Sequence, residues 1–469
     1  MTTSASSSPV PQDGLAPPQR TWAILAIAMA ITMAVLDGAI ANVALPAIAR
    51  DLHATPASSI WVVNAYQLAT TVSLLAFASL GDIFGYRRIY QMGLVVFTLV
   101  SVLCALSDSL VTLTMARIVQ GFGAAGIMSV NTALVRIIYP KRYLGRGMAI
   151  NSLVVALSSA AGPTVAAAIL SVASWQWLFA VNLPIGLLAL VLGYRSLPDN
   201  PHQATHGFDM QSAWLNAITF GFLIFAINGF GHEANRWLIT AMLVIAIGVG
   251  YFFVKRQLTL QSPLLPVDLL RIPTFALSVG TSICSFCAQM LGMVSLPFYL
   301  QETLGRSATE TGLLLTPWPL AIVVIAPLAG RLVEKKYAPG ALGGVGLGLL
   351  ALGLLLLGML PNAPGDGDII WRMALCGIGF GFFQSPNNYA LLSSAPPQRS
   401  GGASGMLGTA RLVGQTMGAS LVALMFGLFP LHGTRMSLIL GAAFAVVAAG
   451  VSFMRLASGD HAAATGSKA

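Results

Sequence analysis

The sequence predicts an all-α polytopic membrane protein of fourteen transmembrane helices with both termini in the cytoplasm, and three observations predict it. The first is composition. Of 469 residues, 56% are hydrophobic and only 8% charged, with a mean hydropathy of +0.80, where an ordinary soluble domain carries about 25% charged residues. Such a chain cannot clothe a surface in water. The second is the recurrence of apolar runs of about 20 residues, the length that crosses a hydrocarbon core about 30 Å thick. The third is the placement of the basic residues, which gather in the short loops on one side of those runs. That placement also turns the net charge of +9 and the pI of about 9.7 away from nucleic acid and towards membrane topology. The 48 glycines and 25 prolines sit inside the apolar runs, where small residues let helices approach closely.

Taken in order, residues 1–20 form a polar, Ser/Pro-rich tail, and the apolar run Thr21–Ala49 is too long for a signal-peptide core. Spans are predicted at 22–48, 60–80, 89–106, 110–136, 147–171, 177–195, 213–230, 237–254, 274–300, 309–332, 339–360, 369–392, 403–429 and 434–456. The seventh and eighth are interrupted by Asn216, Asn228 and the short link Gly231–Arg236. With the N-terminus inside, seventeen of the 24 Lys and Arg residues face the cytoplasm, five face outward, and Arg117 and Arg411 fall within spans. The excess of inside positive charge fixes the orientation and requires an even number of helices.

An internal repeat follows from the loops. Ala78-Ser79-Leu80-Gly81-Asp82 after the second span resembles Gly330-Arg331-Leu332-Val333-Glu334 after the tenth, and each copy precedes a basic pair, Arg87–Arg88 or Lys335–Lys336. The loops are equivalent only if spans seven and eight are inserted between two six-helix halves. The expected organisation is therefore 6+2+6: a tail at 1–20, a bundle at 21–195, a linker with two spans at 196–273, a second bundle at 274–456 and a tail at 457–469. Parallel halves around a midplane site are a transporter architecture.

Several segments carry a more specific signal. Span one holds Leu36-Asp37-Gly38-Ala39-Ile40-Ala41-Asn42-Val43-Ala44-Leu45-Pro46, and span two Trp61-Val62-Val63-Asn64-Ala65-Tyr66. Span four contains Arg117, Gln120, Gly121 and Gly123, and span five contains Gly162-Pro163 followed by Trp175-Gln176-Trp177-Leu178-Phe179 and Asn182. The second half continues with Pro297, Tyr299, Gln301, Thr311-Gly312, Pro317-Trp318-Pro319, Trp371-Arg372 and, in span thirteen, Gly405, Arg411 and Gly414. In this order the motifs resemble the fourteen-helix drug:proton antiporter, multidrug-efflux branch of the major facilitator superfamily through nearly the whole chain. The branch's usual hydroxyl two residues after the aspartate is Ala39 here, Ala78 stands where a glycine is expected, and Ile83 where a basic residue is expected.

The resemblance implies a proton-coupled exporter of lipophilic, often cationic, small molecules, embedded in a bacterial inner membrane; the short link between spans thirteen and fourteen, near Phe429–Arg435, offers no module for docking an adaptor, so the protein is expected to work alone as a monomer. Of fifteen acidic residues only Asp37 lies well inside a span, which makes it the expected proton-binding and cation-sensing group, with Arg117 as its neighbour. A charge at the bilayer centre costs about 2.5–3.5 kcal/mol or more and normally faces a cavity or a partner. At 1.5 Å per residue the two groups come to similar depths, so direct contact is expected; a purely structural ion pair is the plainer alternative. Asn64, Tyr66, Gln67, Gln289, Gln384 and Asn387 offer polar lining for substrate, and Trp318, Phe382 and Phe383 aromatic lining, although helix packing accounts for such residues equally well. The resemblance also implies a gating loop at Ala78, Asp82, Gly85, Arg87 and Arg88, with Gly330, Glu334 and Lys335 as its repeat, in which Asp82 latches against the start of span thirteen. Gly162 and Pro163 are the implied antiporter motif, packed against the opposite half; a surface loop and ordinary helix packing are the bland readings of the two.

No cofactor is expected. Cys284 and Cys287 have C-x-x-C spacing, but no second ligand pair is placed to complete a metal site. There is no Walker phosphate loop, H-E-x-x-H or G-x-S-x-G in a strand–turn–helix context, so neither an ATP-driven pump nor a hydrolase is supported. Two rivals remain open: an exporter of an endogenous metabolite such as an amino acid, sugar derivative or siderophore, and a membrane sensor that has lost transport.

Overall fold

The computed structural model describes residues 14–199, 207–229, 236–260, 263–334, 337–361, 363–396 and 399–466. Among them the chain is helical, with no strand, and forms fourteen long helical units that follow the predicted order. They are named here spans 1 to 14: Pro17–Asp51, Pro56–Phe84, Tyr86–Ala105, Leu110–Ile138, Leu144–Leu170, Gln176–Ser196, Met210–Gly229, Arg236–Gln257, Pro273–Phe298, Ala308–Glu334, Pro339–Gly358, Asp366–Ser394, Ser400–Leu428 and Gly433–Gly466. Thirteen have the length and apolar composition to cross a membrane; span 12 is long enough, but it carries Asp366, Asp368 and Arg372 at one end and Gln384, Asn387 and Asn388 in the other half. Of these polar residues Asn387 is fully buried against its neighbours.

The ends of the helices follow local chemistry. Pro17 opens span 1 at a position whose N–H needs no partner. Ser109 and Thr112 form a reciprocal cap on span 4, and Ser307 and Glu310 do the same on span 10. Gly85 separates spans 2 and 3 at φ 103°, a conformation that suits glycine. Spans 1 and 14 extend beyond the predicted 22–48 and 434–456, since a helix is not bound to stop where its hydropathy falls. Arg455, counted with the cytoplasmic charges although it falls inside 434–456, lies within a helix that continues to Gly466.

Spans 1–6 pack on one another, and so do spans 9–14. Span 4 crosses span 3 closely enough that a methyl at Gly123 would meet the Phe97 nitrogen at 2.6 Å and the Gly93 carbonyl at 2.8 Å. Span 12 crosses span 11 in the same manner, Gly379 lying against the Gly346 carbonyl. The same small-residue contact thus recurs in corresponding pairs of the two halves.

Spans 7 and 8 form an antiparallel pair outside this arrangement, with most of their surface turned outward. Asn216, which interrupts the apolar run, donates from Nδ2 to the Val72 carbonyl at 2.8 Å and so docks span 7 on span 2. Phe225 lies against Trp61 with ring centroids 4.9 Å apart. Span 7 also touches span 13. At the start of span 7, burial raises the Asp209 carboxyl, but bonds from Ser212 and Arg256 outweigh it and hold the group below the usual range. Those bonds tie the two inserted helices together at their inner end. The side chain of Asn228 and the link 230–235 lie outside the described residues.

The halves meet mainly towards the face assigned as outer by the basic residues. Gln301 donates to the Val43 carbonyl at 3.0 Å and accepts from Arg50 at 3.4 Å. The hydroxyls of Thr164 and Thr316 are 2.8 Å apart, and Thr309 donates to the Ala167 carbonyl at 3.3 Å. Towards the inner face Leu153, Leu157, Val324 and Leu328 of spans 5 and 10 are exposed.

Candidate functional site

Asp37 and Arg117 form an ion pair, and neither side chain has any exposed surface. The carboxylate is held at both oxygens. Oδ2 accepts from Arg117 Nη1, while Oδ1 accepts from Asn182 Nδ2 at 2.9 Å and Gln120 Nε2 at 3.2 Å. Arg117 also donates to Gln120 Oε1 at 2.6 Å and from Nε to the Val62 carbonyl at 3.0 Å. Ser101 Oγ accepts from Gln120 at 2.9 Å and Asn182 at 3.3 Å, and Cys104 donates to Gln120 Oε1 at 3.4 Å. The guanidinium carbon lies 4.2 Å from the Tyr66 ring centroid and 5.4 Å from that of Phe179, both favourable for a cation over an aromatic face. One polar knot therefore joins spans 1, 2, 3, 4 and 6.

In this arrangement Arg117, Gln120 and Asn182 occupy the oxygens of Asp37 and no face of the carboxylate is open to a cation. Removing one partner of such a pair outright strands the other charge at a cost of about 3–5 kcal/mol. Gln120 and Asn182 stood in the quoted motifs without a role. Gln120 is three residues after Arg117, on the same helix face, which was a usable signal; Asn182 and Ser101 reach the site from other spans, and nothing local announces them.

The remaining candidates divide. Asn64 and Gln67 are buried on span 2, and Gln67 Oε1 has no hydrogen-bond partner. Tyr66 covers Arg117 and donates to the Ala34 carbonyl at 3.0 Å. Gln289, Phe382 and Gln384 are half-buried. Trp318 is fully buried against Gly292 and Gly377, and Phe383 packs edge-on against Phe380 at 5.5 Å. Asn387 belongs to a second buried network: it donates to Ser282 Oγ at 2.7 Å and accepts from Arg455 Nη1 at 2.8 Å, and Arg455 also donates to Ser278 Oγ at 3.0 Å. Trp318, Phe383 and Asn387 thus fill the interior of the second half, because its many glycines draw the helices in around them.

The segment expected as a gating loop lies in part within span 2, whose last turns contain Ala78 and Asp82; Asp82 accepts from Tyr86 at 2.5 Å and, among the described residues, makes no bond to span 13. Arg87 instead reaches the end of span 6, donating to the Tyr194 carbonyl at 2.5 Å and to Asp199 at 3.4 Å, while Arg88 is exposed. The start of span 13 is held by Asp268, whose Oδ1 lies 2.9 Å from Arg399. Ala78 is half-buried. In the repeat, Gly330 borders a cleft of about 230 Å³ with Val333, Ser385 and Tyr389; Lys335 and Lys336 lie outside the described residues, and only the backbone of Glu334 is described. Gly162 presses on Ala39 of span 1, and the Pro163 carbonyl on Gly312 of span 10, so the span 5 motif touches both halves.

Comparison with known proteins adds three relatives and a family. Residues 27–419 match the Major Facilitator Superfamily. The chain is 64% identical to the uncharacterized transporter YebQ of Escherichia coli (strain K12), over 95% of this chain and 98% of that one. It is 30% identical to the riboflavin transporter RibZ of Clostridioides difficile (strain 630), covering 87% and 89% of the two chains. It is also 30% identical to the multidrug resistance protein Stp of Mycobacterium tuberculosis (strain CDC 1551 / Oshkosh), covering 85% and 74%.

Proposed function

Since this chain belongs to the major facilitator superfamily, as an integral multi-pass transporter and not an enzyme, we propose that it exports lipophilic small molecules in exchange for protons. Alternating access would carry the substrate, and Asp37 the proton. The observation that supports this most is that Asp37 is the only buried acid among the described residues, and it sits where four other spans converge on it. A carboxylate that gains a proton loses its charge, and with it the attraction that holds Arg117, Gln120 and Asn182. Loading the proton then loosens spans 1, 4 and 6 from one another, and unloading draws them back. Coupling in this reading is conformational, through the knot, and needs no contact between Asp37 and the substrate. The multidrug-resistance relative favours lipophilic cargo; the riboflavin-transporter relative keeps open the export of a single metabolite on the same fold.

The test is efflux driven by an imposed pH gradient in proteoliposomes, with a panel of dyes, amines and metabolites. The wild type is expected to move lipophilic members of the panel, and Asp37→Asn to lower that flux at least tenfold while equilibrium binding changes little. Undiminished pH-driven efflux by Asp37→Asn would overturn the proton role.

A further inference from the structure

Arg117 and Arg411 both fall well inside their spans, and of the two only Arg117 meets a carboxylate among the described residues. Arg117 has Asp37. Arg411, eleven residues into span 13 and so about 16 Å from its inner end, is near the middle of a hydrocarbon core about 30 Å thick. Its guanidinium meets no carboxylate and no hydrogen-bond acceptor among the described residues, and its Nε is buried without a partner. A cation left in this condition inside a bilayer protein marks a cavity or a ligand path.

The direction it faces follows from its helix. Gly408, three residues earlier, lies beside Leu74 of span 2, and the Thr416 hydroxyl is 3.3 Å from that of Thr71 on the same span. Residues three apart share a helix face, so Arg411 belongs to the seam between spans 2 and 13, where the two halves meet. It comes within electrostatic reach of Tyr66. Gln67 stands one turn from Thr71 on that face of span 2, and its buried Oε1 also lacks a partner. Across one seam the protein thus presents an unpaired cation and an unpaired acceptor.

We propose that Arg411 binds an acidic group of the exported molecule, so that the substrates are lipophilic organic anions such as aromatic carboxylates or phenolates, and not organic cations. This rests on the export reading. It differs from the expectation built on Asp37, because the acid that would have greeted a cation is sealed by Arg117, while the charge left unsatisfied at the interface is positive. A guanidinium matches a carboxylate with two parallel N–H donors, and Gln67 adds an acceptor for a hydroxyl or amide of the same molecule.

A matched set of probes tests it: 1-pyrenebutyrate, its methyl ester and 1-pyrenebutylamine, titrated into purified protein in detergent and read by energy transfer from tryptophan to pyrene. Wild type is expected to bind the carboxylate at least tenfold more tightly than the ester or the amine. Arg411→Gln should erase that preference and Arg411→Lys should keep part of it, each variant checked for folding by its melting temperature. Equal affinity for the three probes, preference for the amine, or an unchanged preference in Arg411→Gln would each overturn the assignment. Should Arg411→Gln fail to fold, the wild-type ranking of the carboxylate against its ester still decides. If the preference appears but no probe moves in proteoliposomes under a pH gradient, the Arg411 site stands and the export reading fails on its own.

Discussion

A carboxylate with no exposed surface survives in a membrane only if donors surround it, and Asp37 has Arg117, Asn182 and Gln120. Each bond there carries more weight than on a surface, because an unmade bond cannot be replaced by water. Asn182→Ala should therefore destabilise the protein by about 1–3 kcal/mol, read as a lower melting temperature in detergent; an unchanged melting temperature would mean that Asn182 is a bystander. Asp37 and Arg117 were legible in the sequence because a charged residue in an apolar run is conspicuous. Their polar partners were not, since an asparagine or serine in a helix reads the same whether it faces a charge or another helix. Arg455 was hidden for the opposite reason. It lies near the end of an apolar run, where arginine ordinarily marks the cytoplasm, and only the extension of its helix and the arrival of Asn387, Ser278 and Ser452 make it interior.

Among elements, the pairs of spans 3 with 4 and 11 with 12 depend on glycine at the crossing, because backbone atoms occupy the space a side chain would need. Gly123→Ala is expected to cost about 1–3 kcal/mol, the usual penalty for overpacking, and to lower the yield of folded protein measured by size-exclusion chromatography. A variant as stable as the wild type would show that span 4 can shift away from Phe97 without loss. The number and order of helices were readable because hydrocarbon thickness sets one length for all of them. Spans 7 and 8 were the least clear, and for span 7 the reason is visible: Asn216 weakens its hydropathy, yet that same residue supplies the bond to Val72 that docks it. The ion pair at the start of span 13 was not legible, since only the fold brings Asp268 to Arg399.

At the scale of the whole molecule, the sequence must encode every conformation of a transport cycle at once, so a particular arrangement of the halves could not be read from it. The structure adopts one in which spans 5 and 10 touch at their outer ends through Thr164 and Thr316. If the halves rock, this contact must open on each turn. Cysteines placed by Thr164→Cys and Thr316→Cys and joined by a short bifunctional thiol reagent should stop efflux in proteoliposomes, and reduction should restore it; full activity of the joined protein would remove this contact from the cycle. The inserted pair gives the molecule a front and a back within the plane of the membrane. Span 7 lies over the seam of spans 2 and 13, with span 8 packed on it, whereas among the described residues no helix lies over the seam of spans 5 and 10 in this way. On that unscreened side Leu153, Leu157, Val324 and Leu328 form an exposed apolar edge towards the inner face.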